Sequence, residues 1–159
     1  MRNYQATPIE EEKLHQILEA GRIAPTGANN QPQRVYVLRS AEALEKIRTI
    51  TRCAFNAPVV LMIACDADAE WKSPLEPGFT VGQQDVSIVA TQMMLEAWNL
   101  GIGSCWVNFF PNTETAKTFG LPDNEKPILL LPLGYAADDA KPAPMHFKKK
   151  SMEELVKFL

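Results

Sequence analysis

The stretch Ala24-Pro25-Thr26-Gly27-Ala28-Asn29-Asn30-Gln31-Pro32-Gln33-Arg34 places turn-forming and amide side chains between an amphipathic helical segment and an apolar strand. Pro25 fixes its own φ and disfavours the helical basin for Ala24, so the preceding helix must end there. Gly27 permits positive φ, and Asn29, Asn30 and Gln31 set amide donors and acceptors side by side. The combination reads as a loop able to grip the edge of a planar heterocycle. The alternative is a helix-to-strand connection whose polar residues only face water.

Working outward, Thr7-Pro8-Ile9-Glu10 reads as a capping box with proline at the first helical position. Ile9, Leu14, Ile17, Leu18 and Gly21 then share one helical face. On the other side, residues 34–39 alternate as a strand, 41–50 read as a helix, and 57–65 form the continuous apolar run of a central strand covered on both faces. Residues 66–84 are rich in Asp, Pro and Gly, carry Trp71 and Phe79, and read as a long irregular excursion of the kind that forms lids. Asp85 is expected to cap the next helix, where Val89, Met93, Ala97 and Leu100 keep helical spacing until Gly101. Met93, Met94 and Trp98 read as core on that spacing rather than as a cofactor box. A strand over 104–110, a short helix over 113–119 stopped by Gly120, and an apolar strand over 127–135 follow. The last segment, 141–159, reads as an extended tail in which Lys148, Lys149 and Lys150 precede a second capping box, Ser151-Met152-Glu153-Glu154.

At 159 residues and 46% hydrophobic, the chain suits one domain over 1–159. A formal charge of −3 with no basic stripe argues against nucleic acid as a partner. The longest apolar runs are too short to span a bilayer, and the N-terminus carries no apolar signal segment, so no membrane partner and a cytoplasmic location are expected. Cys53, Cys65 and Cys105 are widely spaced without a C-x-x-C pair, which suggests free, mostly buried thiols and no zinc site. The two histidines, His15 and His146, have no cysteine nearby in sequence; His15 reads as a surface residue, and His146 either as another or as a ligand contact. There is no P-loop and no nucleophile elbow, and no metal site is expected. Gly101-Ile102-Gly103-Ser104-Cys105-Trp106 follows a helix, precedes a strand and lacks the third glycine of a dinucleotide fingerprint. Alternation of elements alone would suggest a doubly wound sheet.

Taken in order, these segments resemble the nitroreductase family of FMN-dependent oxidoreductases. Residues 24–34 match its A-P-S/T-x-x-N-x-Q-P segment. Asp85 and the helix after it, running into Gly101-Ile102-Gly103-Ser104-Cys105-Trp106-Val107, match its D…M-x-L…G-x-G-S-C-W-V segment, and Pro132-Leu133-Gly134-Tyr135 matches a late L-G-Y strand end. The resemblance implies an α+β fold, a mixed β-sheet flanked by helices, in a homodimer holding FMN at the subunit interface. It implies that Pro25, Thr26, Asn29 and Gln31 line the flavin. Arg2 with Lys149 or Lys150 would neutralise its phosphate from the other subunit. Trp106, Val107 and Asn108 would run beside the reactive ring, where a backbone N–H favours hydride acceptance. No catalytic side chain is required, because the flavin carries the chemistry. The implied reaction is ping-pong: NAD(P)H donates, then a small-molecule acceptor (a nitroaromatic, a quinone or an unsaturated carbonyl compound) is reduced in the same pocket.

The sequence departs from the family pattern in three places. It begins at Met1-Arg2-Asn3-Tyr4 and keeps only the second arginine of the usual R-x-S-x-R segment, a short form without the usual first helix. Lys149 stands where arginine is usual, giving a point charge in place of a planar fork, and Asn108 and Phe109 stand where glycine and a polar residue are common. These departures motivate a second reading, a flavin-binding or storage protein or a degenerate non-catalytic dimer.

Overall fold

The apolar run after Pro58 is the centre of the molecule. A computed structural model describes residues 1–159. In it, strand β2 (Val59–Asp66) is buried along its whole length, between β1 (Gln33–Leu38) and β4 (Glu125–Gly134), with the two-residue β3 (Gly103–Ser104) beyond β4. The α+β class holds, but the strands of this chain pair antiparallel throughout rather than in a mixed sheet. The connections explain why. Residues 39–58, which contain helix α2 (Ala41–Ile50), leave and re-enter the sheet at one end, with Leu38 opposite Val60. The chain leaves β2 at Asp66, passes through α3 to β3 at the far edge, and enters β4 at Glu125 opposite Asp66, so β4 runs antiparallel to both neighbours and separates β2 from the parallel β3.

Alternation along β2 and β4 divides the core into two layers. Val59, Leu61, Ile63 and Cys65, with Leu129, Leu131 and Leu133, face helices α1 (Glu11–Arg22) and α3 (Gly82–Asn99). Val60, Met62 and Leu130 face the opposite way, onto Leu44 and Ile47 of α2. Leu129, Leu131 and Leu133 are wholly buried, and each stabilises the fold by roughly 1.5–3 kcal/mol relative to an exposed side chain. Helices α1 and α3 meet at Gly21, where a Cβ would lie 2.0 Å from Cε of Met93.

Several ends follow from local sequence. Ser40 Oγ accepts the Ala43 amide at 3.1 Å to open α2. Gly120, at φ 66°, closes α4 (Asn112–Phe119) in the left-handed region. Ser151 and Glu154 form the capping box of α5 (Met152–Leu155).

Four expectations are corrected. Helix α1 starts at Glu11, not near Thr7, and has no side-chain cap: Ile9 is drawn into the core, and Glu10 accepts the Tyr135 hydroxyl at 2.5 Å. The expected strand over 104–110 shrinks to β3. The register continues, with Cys105 donating to the Pro132 carbonyl at 3.3 Å and Val107 exchanging both bonds with Leu130, but Pro132 has no N–H to return to Cys105, so the ladder breaks there. Trp98 is not core: it is 77% exposed on α3, in line with exposed Ile88 and Leu95. Asp85 lies inside the first turn of α3 and does not cap it, for its side chain is engaged elsewhere. The thiols are free, with Cys65 buried and Cys53 and Cys105 half-buried. No helix is long and apolar enough to cross a membrane.

Candidate active site

The loop between α1 and β1 is built on backbone that non-glycine residues seldom adopt. Ala28, Asn29 and Gln31 have φ of 49°, 58° and 52°, each costing on the order of 1 kcal/mol, so the surroundings must impose the shape. They do so at both ends. The Gly27 amide donates to Asp85 Oδ1 at 2.8 Å, and the Gln31 amide donates to Thr26 Oγ1 at 3.0 Å. Arg34 donates to the Gln31 carbonyl at 3.2 Å and to Asp66 at 2.6 Å. Pro25, Asn29 and Gln31 are thereby held exposed on one turn, with Thr26 half-buried beneath them.

Against this loop lies the excursion expected to be a lid. Residues 71–81 form a narrow arm in which Val81 donates to the Trp71 carbonyl at 3.2 Å and Ser73 to the Phe79 carbonyl at 2.9 Å. A Cβ on Gly27 would come within 2.8 Å of Val81 Cγ2 and 3.0 Å of Trp71 Cβ, so glycine is what lets loop and arm touch.

The second element is the broken edge beyond β4. Cys105 and Val107 turn their amides to β4, whereas the Trp106 amide between them faces away and has no partner in the chain. The indole Nε1 of Trp106 donates to Asn108 Oδ1 at 2.5 Å, and Asn108 Nδ2 donates to the Ile128 carbonyl at 2.9 Å. Asn108 therefore spends its amide on bracing this edge.

The third element gathers near the N-terminus. The Met1 ammonium donates to the Ser104 carbonyl at 2.9 Å, and the Tyr4 hydroxyl to the Pro132 carbonyl at 3.2 Å. Burial, with the neighbouring Cys105 thiol, pushes the Tyr4 phenol well above its ordinary range. This fixes Arg2 at the rim of a cavity of about 580 Å³, also lined by Trp98, Cys105, Lys141 and His146, with its guanidinium 6.0 Å from the Phe55 ring. Lys149 and Lys150 are exposed and form no ion pair within the chain. His15 and His146 are both exposed.

Folding thus unites Pro25, Thr26, Asn29 and Gln31 on one loop, and Trp106, Val107 and Asn108 on one edge. Arg2 joins the N-terminal cavity, and the lysines stay on the tail. Sequence reading missed Arg34 and the bond from Asp85 to Gly27. Asp85 looked like a cap and Arg34 like an ordinary strand residue, and only their partners distinguish them.

An antiparallel sheet with helices on both faces defines a single α+β fold, in which an amide loop and an open strand edge are the exposed polar features. The chain belongs to the nitroreductase family, whose model, described as Nitroreductase family, matches residues 1–56 and 52–135. A provisionally named NADH dehydrogenase/NAD(P)H nitroreductase of Methanothermobacter thermautotrophicus is 32% identical over 146 residues, covering 87% of this chain and 73% of the relative. The crystal structure of a nitroreductase family protein from Clostridium difficile is 37% identical with a TM-score of 0.91, over 99% of this chain and 91% of that one. A nitroreductase-type structure from Exiguobacterium sibiricum, solved in complex with FMN, shares the fold at 20% identity and a TM-score of 0.84, over 100% of this chain and 92% of that one.

Proposed function

We propose that this chain is an FMN-dependent NAD(P)H oxidoreductase, acting in the cytoplasm as a homodimer on a small-molecule acceptor such as a nitroaromatic, a quinone or an unsaturated carbonyl compound. The observation that carries the reading is the unpartnered Trp106 amide on an edge braced by Asn108 and Ile128. A fixed, unspent donor of this kind suits the heteroatom edge of a flavin ring. The rest of the donor set fits the same group: Pro25, Thr26, Asn29 and Gln31 offer a small polar wall, while Arg2, Lys149 and Lys150 are cations free to meet a phosphate. Bound FMN would supply hydride acceptance and electron delivery, with NAD(P)H and acceptor using one pocket in turn, a ping-pong order. The FMN complex of the Exiguobacterium sibiricum protein supports the choice of cofactor.

The homodimer rests on the surface of α3. Ile88, Leu95 and Trp98 stand exposed on one helical face, and Phe147, Met152, Leu155 and Phe158 stand exposed on the tail. Apolar surface in such quantity marks an interface, and a second copy supplies it symmetrically. The tail cations would then reach the flavin loop of the partner subunit.

Purified protein should show flavin absorbance and should oxidise NAD(P)H when a nitroaromatic is added. A folded sample that neither retains nor rebinds FMN rejects the reading. Tight binding without turnover selects a flavin-storage role instead.

A further inference from the structure

We propose that Asp85 is the positioning residue of the candidate flavin loop, holding the Gly27 amide so that Asn29 and Gln31 are presented before any ligand arrives. This rests on the flavin reading above. Asp85 is 3% exposed. Its Oδ1 accepts from Gly27 across 58 residues of sequence at 2.8 Å, while its Oδ2 is buried with no hydrogen-bond partner. A buried carboxylate with one idle oxygen is costly, and the partial positive charge at the start of an 18-residue helix offsets only part of that cost. It is not spent on the helix either, because α3 has no side-chain cap and Asp85 uses only its backbone N–H, to Val81, in the helix ladder. The single hydrogen bond that Asp85 makes through its side chain therefore goes to the loop. That bond lies at the last residue before the left-handed run, opposite the end that Arg34 holds at Gln31. With both ends fixed, the loop need not be ordered on binding, and that saving should appear as affinity.

The test uses the full chain with Asp85→Asn, which keeps an acceptor oxygen, and Asp85→Ala and Asp85→Ser, which remove it or leave it too short to reach Gly27. Amide hydrogen exchange of the protein without FMN is read at Gly27 to Gln31, with the buried α3 amides as internal control, and FMN affinity is read by quenching of flavin fluorescence. In Asp85→Ala and Asp85→Ser, exchange in the loop should accelerate while the α3 core stays protected. FMN affinity should fall by about 10- to 100-fold, the range for losing a hydrogen bond to a charged acceptor. Asp85→Asn should stay within about threefold of the parent, the bond being kept. Unchanged loop exchange in both shortened variants overturns the proposal, as does freed exchange with unchanged FMN affinity. If Asp85→Ala does not fold, Asp85→Ser against Asp85→Asn decides. If the parent chain binds no FMN, the flavin reading fails by itself, and the exchange arm still reports whether Asp85 holds the loop.

Discussion

Arg34 donates to Asp66 at 2.6 Å and, through its other amino group, holds the Gln31 carbonyl at 3.2 Å, so an ion pair at the sheet end and the candidate loop share one side chain. The Asp66 carboxyl is held below its ordinary value, first by the Asp68 amide, then by Asn124 and Arg34. A carboxyl depressed in the folded state stabilises it fully above the unfolded value. That contribution is lost as pH falls through the folded value. Acid unfolding followed by circular dichroism should therefore steepen below about pH 4 in the parent chain, and Asp66→Asn should flatten the curve there while lowering stability at neutral pH.

Cys65 has the opposite sign. Burial, followed by the charges of Glu70, Asp66 and Asp85, pushes its thiol up to about 11. Its stabilising contribution is present below the unfolded thiol value and declines as pH rises from there towards 11. Iodoacetamide at pH ~8, near the ordinary thiol value, should modify half-buried Cys53 and Cys105 in the native protein. Cys65 should be labelled only after unfolding in urea, as peptide mass mapping would show.

Asn29→Ala should weaken FMN binding by about 5- to 30-fold, equivalent to ~1–2 kcal/mol for a ring heteroatom left without its partner. Asn29 makes no side-chain bond within the chain and lies exposed, so the melting temperature of the protein without FMN should hardly change. Isothermal titration alongside thermal melts separates the two effects.

Gly21→Ala should destabilise the fold by about 1–3 kcal/mol in urea titrations, because the added methyl meets Met93. Its Cβ would lie 2.0 Å from Cε and 2.9 Å from Cγ of that side chain, and only the first is relieved by swinging the flexible end. Combining it with Met93→Ala should cost less than the sum of the two single changes, as expected for residues sharing one space.

Leu95→Glu with Trp98→Glu should abolish the proposed dimer and, with it, FMN binding. Both residues are exposed in the single chain, so monomer stability should be retained while sedimentation velocity shifts to the monomer. A double variant that stays dimeric would move the interface off α3.

Parts of the site were readable in advance only where chemistry and sequence neighbourhood coincide. Pro25 and Gly27 announce the loop, yet nothing local indicates that Ala28 takes a positive φ or that Gly27 leans on Trp71 and Val81. Trp106 was legible through its motif, but the outward turn of its amide depends on the register that points the Cys105 and Val107 amides at Pro132 and Leu130 of β4.

The linear order of residues determined what depends on a few neighbouring positions: the Ser40 and Ser151 caps, the Gly120 stop, and the unbroken apolar run of β2. It also carried the motifs that define the family. Tertiary structure alone decided the antiparallel pairing, the outward face of Trp98, and the use of Asp85 and Arg34 as anchors of one loop. Helical or strand periodicity says only that an apolar face needs covering. Which surface covers it, and which buried charge meets which distant amide, is set when segments far apart in sequence compete for the same space.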